Sequence, residues 1–144
     1  GDHDLVAQAA GALGLELAFW KINMRPGKPL MAGTLRGTPL LGLPGNPVSA
    51  IVTGHLFLLP MVRRWLGLRD VLPRRESAIL AQDLGPTGPR THYMRASLKD
   101  GAVTPFPSQD SALLGVLARA DCLLERPLGD GPRRAGEQVT ILPL

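Results

Sequence analysis

The chain has 144 residues, 44% of them apolar, so it can bury a hydrophobic core and is neither a disordered tail nor a short peptide. Only 4% of the residues are aromatic, and the 17 glycines and 14 prolines indicate many turns between short elements, which argues against a plain helical bundle. The formal net charge is +4, and residues 1–69 carry the whole excess, so an anionic ligand is expected in the first half.

Short elements of alternating type are predicted at the start of the chain. The spacing of apolar residues predicts an amphipathic helix over Asp4–Leu15, which Gly14 can close in a left-handed turn. A compact apolar run predicts one buried strand over Leu17–Met24. Two further strands, Leu30–Leu35 and Pro39–Leu43, are expected to form a hairpin. This order indicates an α/β layer.

A second helix is predicted to begin at Asn46-Pro47. Asn accepts hydrogen bonds from the free N–H groups of the first turn, and Pro at the first helical position loses no hydrogen bond. The helix is expected to kink or restart at Pro60 and to end near Leu66-Gly67. The polar segment 70–76 is predicted to be a linker.

The remaining residues, 77–144, are predicted to form a small β-barrel or sandwich, because short strand-like stretches recur between Gly-Pro-rich turns. One short helix is expected over Ser111–Ala120. The predicted strands are Ser77–Gln82, His92–Leu98, Ala102–Phe106, Cys122–Leu128 and Glu137–Leu142.

Two loops have the composition of anion sites. In residues 24–29, Arg25 and Lys28 stand among stiffening prolines, and with Lys21 they place three cations within eight residues. In residues 42–47, a strand end runs into a helix start, whose free N–H groups can bind a phosphate or an oxyanion. Each loop can equally be a tight surface turn that binds nothing.

Few other residues suggest chemistry. Asp2 and Asp4 can hold a hard cation such as Mg²⁺, or they can only cap the first helix. His55 and His92 have no partner at metal-ligand spacing and are predicted to be structural. The sequence contains neither a nucleophile elbow nor a phosphate-binding loop.

Composition also bears on where the chain works. The longest apolar run, Leu56–Val62, is far shorter than the roughly 20 residues needed to cross a bilayer. The single cysteine, Cys122, cannot form an internal disulfide, which fits a reducing compartment and predicts a cytoplasmic protein without membrane contact. Nucleic-acid binding is disfavoured, because the arginines are scattered and lack interleaved aromatic residues.

The motifs of the chain resemble a known family. GDHD, FWK, PGKP and GLPGNPVSA follow one another within residues 1–50, and YMRA, QDS, LARAD and AGEQV follow in the second half. In this order they resemble the molybdopterin molybdenumtransferases, called MoeA in bacteria, a family that includes the C-terminal part of the animal protein gephyrin. The resemblance covers essentially all 144 residues.

The resemblance implies an α/β fold: the C-terminal half of a three-layer molybdopterin-binding domain at residues 1–69, a linker at 70–76, and a C-terminal β-barrel domain at 77–144. It implies an enzyme of molybdenum cofactor biosynthesis that inserts molybdate into adenylylated molybdopterin, releases AMP and uses Mg²⁺. The full-length protein is expected to be a homodimer. This chain alone, without the first half of the domain and the family's two N-terminal domains, is expected to be inactive.

The resemblance also implies site residues. Asp4 is expected to be a catalytic carboxylate close to the metal or to molybdate, and Lys21 and Arg25 are expected to act with it. Arg25 stands where Lys is also seen, and Asp110 replaces the Gly usual before Ser111. The residues expected to bind the pterin substrate or molybdate are Lys28, Pro44, Gly45, Asn46, Pro47, Ser49, Arg95 and Ser111. A non-catalytic interaction module of the same fold and a basic nucleic-acid binder remain alternatives.

Overall fold

Residues 5–144 are described by a computed structural model, in which two sheets are joined by a run of helices. The elements are α1 (Leu5–Ala12), β1 (Leu15–Trp20), β2 (Met24–Arg25), β3 (Met31–Leu35), β4 (Thr38–Gly42), α2 (Pro47–Thr53), α3 (Leu59–Trp65), β5 (Glu76–Leu80), β6 (Thr91–Lys99), β7 (Ala102–Pro105), α4 (Leu114–Leu117), β8 (Cys122–Arg126) and β9 (Gln138–Pro143). Within this part of the chain, no helix is long and apolar enough to cross a membrane.

The first sheet has three antiparallel strands in the order β1-β3-β4. The predicted hairpin is confirmed: Leu35 pairs with Thr38, and Arg36 and Gly37 turn the chain with φ of 50° and 80°. The prediction that the strand before it is buried was wrong. β1 is an edge strand that pairs with β3 alone, so five of its six residues are exposed.

The predicted strand Leu17–Met24 is in fact two strands that belong to different sheets. Lys21 adopts a left-handed conformation with φ of 67°, which ends β1 and redirects the chain. The N–H group of Lys21 then donates to the carbonyl of Leu30 at 2.9 Å. Beyond this bend, β2 pairs in parallel with β6 of the second sheet. A local apolar run could not reveal this change of partner.

The helix that begins at Asn46-Pro47 is confirmed. The Asn46 side chain accepts a hydrogen bond from the N–H of Ser49 at 3.1 Å, and Pro47 occupies the first turn of α2. A wide turn of π type over Gly54–Leu58 precedes Pro60, and the α-helix restarts as α3. The restart fits the chemistry of Pro60, which has no N–H to donate to the preceding turn.

The second half forms a closed barrel. Its strands follow one another in the order β6-β7-β5-β9-β8, and β8 pairs again with β6, so five strands close the sheet. The interior is filled by small and branched side chains, including Leu80, Val103, Leu124 and Ile141. β2 adds a sixth strand outside the closure, alongside β6.

The helix predicted over Ser111–Ala120 is only four residues long, Leu114–Leu117. The Asp110 carboxylate accepts a hydrogen bond from the N–H of Ala112 at 2.9 Å, and Leu113 has non-helical angles of −91° and 80°. This local turn competes with the helix over its predicted first part, because an Asp side chain offers the backbone an alternative hydrogen bond.

The two halves share an apolar core outside the barrel. Val48 and Val52 of α2 pack with Leu123 and Leu142 on the outer face of the barrel, and Met24 and Leu117 belong to the same cluster. Residues 66–75 contain neither helix nor strand. Because they share this core, residues 1–69 and 77–144 pack against each other. The domain boundaries at 69 and 77 stay a prediction.

One glycine is required at this junction. Gly27 has φ of 111°, and a Cβ built there would collide with the side-chain methyl of Thr53 on α2. We expect Gly27→Ala to lower the free energy of unfolding by about 2 kcal/mol or more, from backbone strain plus overpacking. Urea denaturation measures the change. Gly37→Ala is the matched control, since Gly37 has φ of 80° but open space around it. Equal losses at both positions would contradict the role of the contact.

Candidate functional site

A cleft of about 430 Å³ lies between the two halves of the chain. The first half contributes the loop 25–29 and Ser49 of α2, and the second half contributes Arg90 and the loop 109–111. The cleft thus brings together four residues that the sequence predicted for the site, Arg25, Lys28, Ser49 and Ser111.

The position of the cleft follows from strand pairing. Arg25 stands opposite His92 in the β2–β6 ladder, so the loop that follows β2 lies against the barrel. Leu30 is fully buried and anchors the other end of this loop. Between these two anchors, Lys28 lines the cleft. Its backbone carbonyl accepts a hydrogen bond from the N–H of Ile22 at 2.9 Å.

Arg95 is the most unusual residue near the cleft. It lies on β6 with 0% of its surface exposed, and its three guanidinium nitrogens have no hydrogen-bond partner among the described residues. Burial, and then the charge of Arg25, lower the pKa of Arg95, whereas the charge of Asp110 raises it. Both of these neighbours line the cleft, but Arg95 itself is fully buried and is not among the residues that line it, so its predicted role as an anion contact stays a prediction. A buried cation with free donors is suited to bind an anion.

Two residues of the cleft were not predicted. The Gln109 amide accepts from the N–H of Arg95 at 2.9 Å and donates to its carbonyl at 3.0 Å, so it fixes the loop carrying Asp110 and Ser111 against β6. Arg90 precedes β6 and lines the cleft without an ion pair in residues 5–144. The QDS motif was a signal for Gln109. Arg90 offered none, because a single arginine after Gly-Pro is common in turns.

Other predicted residues lie elsewhere. Lys21 does not line the cleft, and its ammonium lies 4.3 Å from the ring centroid of Trp20. Asp4 falls outside the described residues. Pro44, Gly45, Asn46 and Pro47 lead into α2, which places Ser49 at the cleft, but they do not line it themselves. The roles of all six stay predictions.

A magnesium site does not fit the residues that the structure describes. Over 5–144, no group of three or more His, Cys, Asp or Glu side chains lies close enough to hold a metal ion. Among residues 5–144, Asp110 is the one carboxylate that lines the cleft, whereas Mg²⁺ needs several oxygen ligands in octahedral geometry.

The pKa of His92 is affected by several arginines around it. Its pKa is lowered to about 4, first by burial and then by Arg25, Arg95, Arg126 and Arg90. The free imidazole titrates near 6.5, so between pH 6.5 and 4 the unfolded chain binds a proton that the folded chain does not. The contribution of neutral His92 to stability is therefore present above pH 6.5 and is lost as the pH falls towards 4.

We expect the free energy of unfolding to fall by at most about 3 kcal/mol between pH 7.5 and 4.5 on account of His92. Urea denaturation at the two pH values measures the loss, and His92→Gln should remove most of it. His55→Gln is the control: burial and Arg63 lower the pKa of His55 as well, so it should remove a smaller part. An unchanged loss in His92→Gln would contradict the assignment.

Comparison with family models divides the chain into two matches. Residues 1–64 match the model described as "Probable molybdopterin binding domain", and residues 77–144 match "MoeA C-terminal region (domain IV)". Among curated proteins, a molybdopterin molybdenumtransferase of Staphylococcus aureus is 32% identical over 99% of this chain and 35% of its own length. Molybdopterin molybdenumtransferase 2 of Mycobacterium tuberculosis is 33% identical over the whole chain and 37% of its own length.

Solved structures match the fold as well. The molybdopterin biosynthesis MoeA protein of Pyrococcus horikoshii superposes with a TM-score of 0.82 at 27% identity, over 97% of this chain and 34% of that one. The chain therefore spans about a third of the length of the relatives it matches. The predicted fold class, half of an α/β domain followed by a small β-barrel, is confirmed.

Proposed function

This chain belongs to the MoeA family of molybdopterin molybdenumtransferases, and on that premise we propose that it takes part in molybdenum cofactor biosynthesis. In the proposed reaction, molybdate is inserted into adenylylated molybdopterin and AMP is released. We assign this activity to the full-length enzyme, and to this chain the binding of the two anionic substrates in the cleft. By itself the chain is expected to turn them over slowly or not at all.

The observation that carries the proposal is the buried guanidinium of Arg95. A buried charge without a partner is costly. Arg95 does not line the cleft in this structure, and in the proposal its side chain turns to the cleft when an anion binds, which supplies the missing acceptors. Arg25 and Lys28 line the cleft directly and supply two cations there. Together they would neutralise molybdate or a phosphoryl group and stabilise the negative charge that develops as the adenylate leaves.

The remaining predicted residues have supporting roles in this proposal. The hydroxyl groups of Ser49 and Ser111 line the cleft and would donate to an oxyanion. The segment from Pro44 to Pro47 would shape the wall through α2, and Lys21 would contact an anion from β1. The carboxylate of Asp110 opposes an anion, and so we expect it to moderate affinity rather than to bind.

We expect Lys28→Ala to weaken molybdate binding ten- to a hundredfold, because it removes one charge-assisted contact of about 1.5–3 kcal/mol. Isothermal titration calorimetry at fixed ionic strength measures this loss. Lys99→Ala is the matched control: it removes the same charge from the end of β6, outside the cleft. Equal affinities for the two variants would contradict the proposed site.

The same titration separates the alternatives. If Lys21 contacts the anion as predicted, Lys21→Ala also loses affinity; if it only packs on Trp20, it does not. An interaction module of this fold would keep its structure and show no dependence on Lys28 or Arg95. A nucleic-acid binder would bind an oligonucleotide with an affinity that falls steeply with salt.

The remaining parts of the proposal rest on the family resemblance and on composition. Magnesium would need carboxylates such as Asp4, which lies outside the described residues. The full-length enzyme is proposed to be a cytoplasmic homodimer. No nucleic-acid or membrane partner is proposed.

A further inference from the structure

A second recess, of about 280 Å³, opens at one end of the barrel. Its wall is formed by the loop 84–90, by His92 and Met94 of β6, by Arg126 of β8 and by Arg25. We call it the barrel mouth. Arg25 and Arg90 line both the mouth and the cleft, whereas His92 and Arg126 line the mouth and not the cleft. The mouths of β-barrels are among the common positions of ligand sites.

Strand register places three basic side chains in one row across the mouth. Arg25 pairs with His92 between β2 and β6, and His92 pairs with Arg126 between β6 and β8. Side chains of directly paired residues point to the same face of a sheet, so all three face the mouth. Arg90 adds a fourth nitrogen-bearing side chain from the loop.

The charge of this row is only partly compensated. Arg126 pairs with Asp130 and donates to the carbonyls of Gly85 and Gly131 at 3.1 and 2.7 Å, which fixes the guanidinium at the mouth. Arg25 and Arg90 take part in none of the ion pairs found in residues 5–144. Two uncompensated cations therefore remain at a half-enclosed recess beside a neutral imidazole that can donate a hydrogen bond.

We propose that the barrel mouth binds a tetrahedral oxyanion, at a site separate from the cleft. Guanidinium groups match such an anion in geometry, since each offers two parallel N–H donors. The anion can be free, of the sulfate or molybdate kind, or it can be the phosphate group of a nucleotide. Since Arg25 and Arg90 also line the cleft, they stand between the two anions and link the sites. This site does not depend on the proposed function.

The His92 ring gives a signal specific to the mouth. Its NMR resonances are assigned with His92→Gln, and sodium sulfate is titrated at pH 7.5 against sodium chloride of equal ionic strength. We expect saturable shifts of the His92 signals with sulfate only. Arg90→Gln should weaken this binding about tenfold, and Lys28→Ala, whose residue lines only the cleft, should leave it within about twofold. Absence of a saturable shift would overturn the proposal, and so would its loss in Lys28→Ala.

A second arm uses AMP in place of sulfate and identifies the source of the anion. Saturation at a lower concentration than sulfate would assign the mouth to a nucleotide phosphate, and equal or weaker binding would assign it to a free oxyanion. His92→Glu places a carboxylate between Arg25 and Arg126 and should remove one sulfate from the stoichiometry measured by calorimetry. An unchanged stoichiometry in this variant, with its circular dichroism spectrum intact, would contradict the site. A cleft that fails to bind molybdate would refute the proposed function and leave these results unaffected.

Discussion

Replacing Arg95 by methionine is expected to raise the free energy of unfolding by about 1–4 kcal/mol and, at the same time, to lower oxyanion affinity at least tenfold. Its guanidinium is completely buried, and none of its nitrogens has a hydrogen-bond partner in the described part of the chain. Methionine fills a similar volume without a charge that must leave water. The unpaired buried charge thus destabilises the free protein, and a bound anion would compensate it.

Urea denaturation with and without 10 mM molybdate measures both effects. The wild-type chain should gain stability on adding molybdate, because a ligand bound only to the folded state shifts the equilibrium. Without molybdate, Arg95→Met should have a higher free energy of unfolding than the wild-type chain, and adding molybdate should raise it little. Arg119→Met is the control, since Arg119 is exposed and lies over the Phe106 ring at 5.7 Å; its change should stay within about 0.5 kcal/mol. A loss of more than 1 kcal/mol in Arg95→Met would show that the guanidinium is stabilised in the free protein.

Replacing Arg126 by methionine is expected to have the opposite effect, a loss of about 3–5 kcal/mol. Arg126 is 2% exposed, nearly as buried as Arg95, but its guanidinium donates hydrogen bonds to other parts of the chain. It pairs with Asp130 and holds the loop before β6 through the carbonyl of Gly85. Asp130 would keep only Arg133, at 2.7 Å, and the two carbonyls would lose their donor.

The same denaturation series tests this prediction, and limited proteolysis of the loop 84–90 locates the damage. Cleavage should become faster in Arg126→Met and stay slow in Arg95→Met. Both variants replace a buried arginine by methionine. The difference between their effects therefore measures what the hydrogen-bond partners of the guanidinium contribute. Changes of the same sign at both positions would contradict the distinction between a structural and a ligand-binding arginine in this barrel.

Turn and cap chemistry predicted several elements correctly. The hairpin at Arg36-Gly37 and the helix start at Asn46-Pro47 agree with the structure, because both depend on contacts within four residues. The expected helix over Ser111–Ala120 was too long, since the Asp110 turn competes with it locally. The wrong assignment of Leu17–Met24 has another origin: periodicity describes the faces of a strand and carries no information about its partners.

The candidate site was predictable in part. Arg25, Lys28, Ser49 and Ser111 were named from motifs, and the structure brings them to one cleft. Gln109 and Arg90 were missed, because their roles depend on a loop clamped to β6 and on a cleft shared by both halves.

By itself, the sequence determined the element types, the excess of positive charge in the first half and the family motifs, because composition, capping and turn residues act over short stretches of chain. Only the tertiary structure decided that β2 pairs with β6 on the outside of the barrel closure. It also decided that, within residues 5–144, the buried guanidinium of Arg95 has no hydrogen-bond partner while that of Arg126 has three. Burial and hydrogen-bond partnership depend on residues far apart in the chain, and two arginines with identical side chains acquire opposite roles from them.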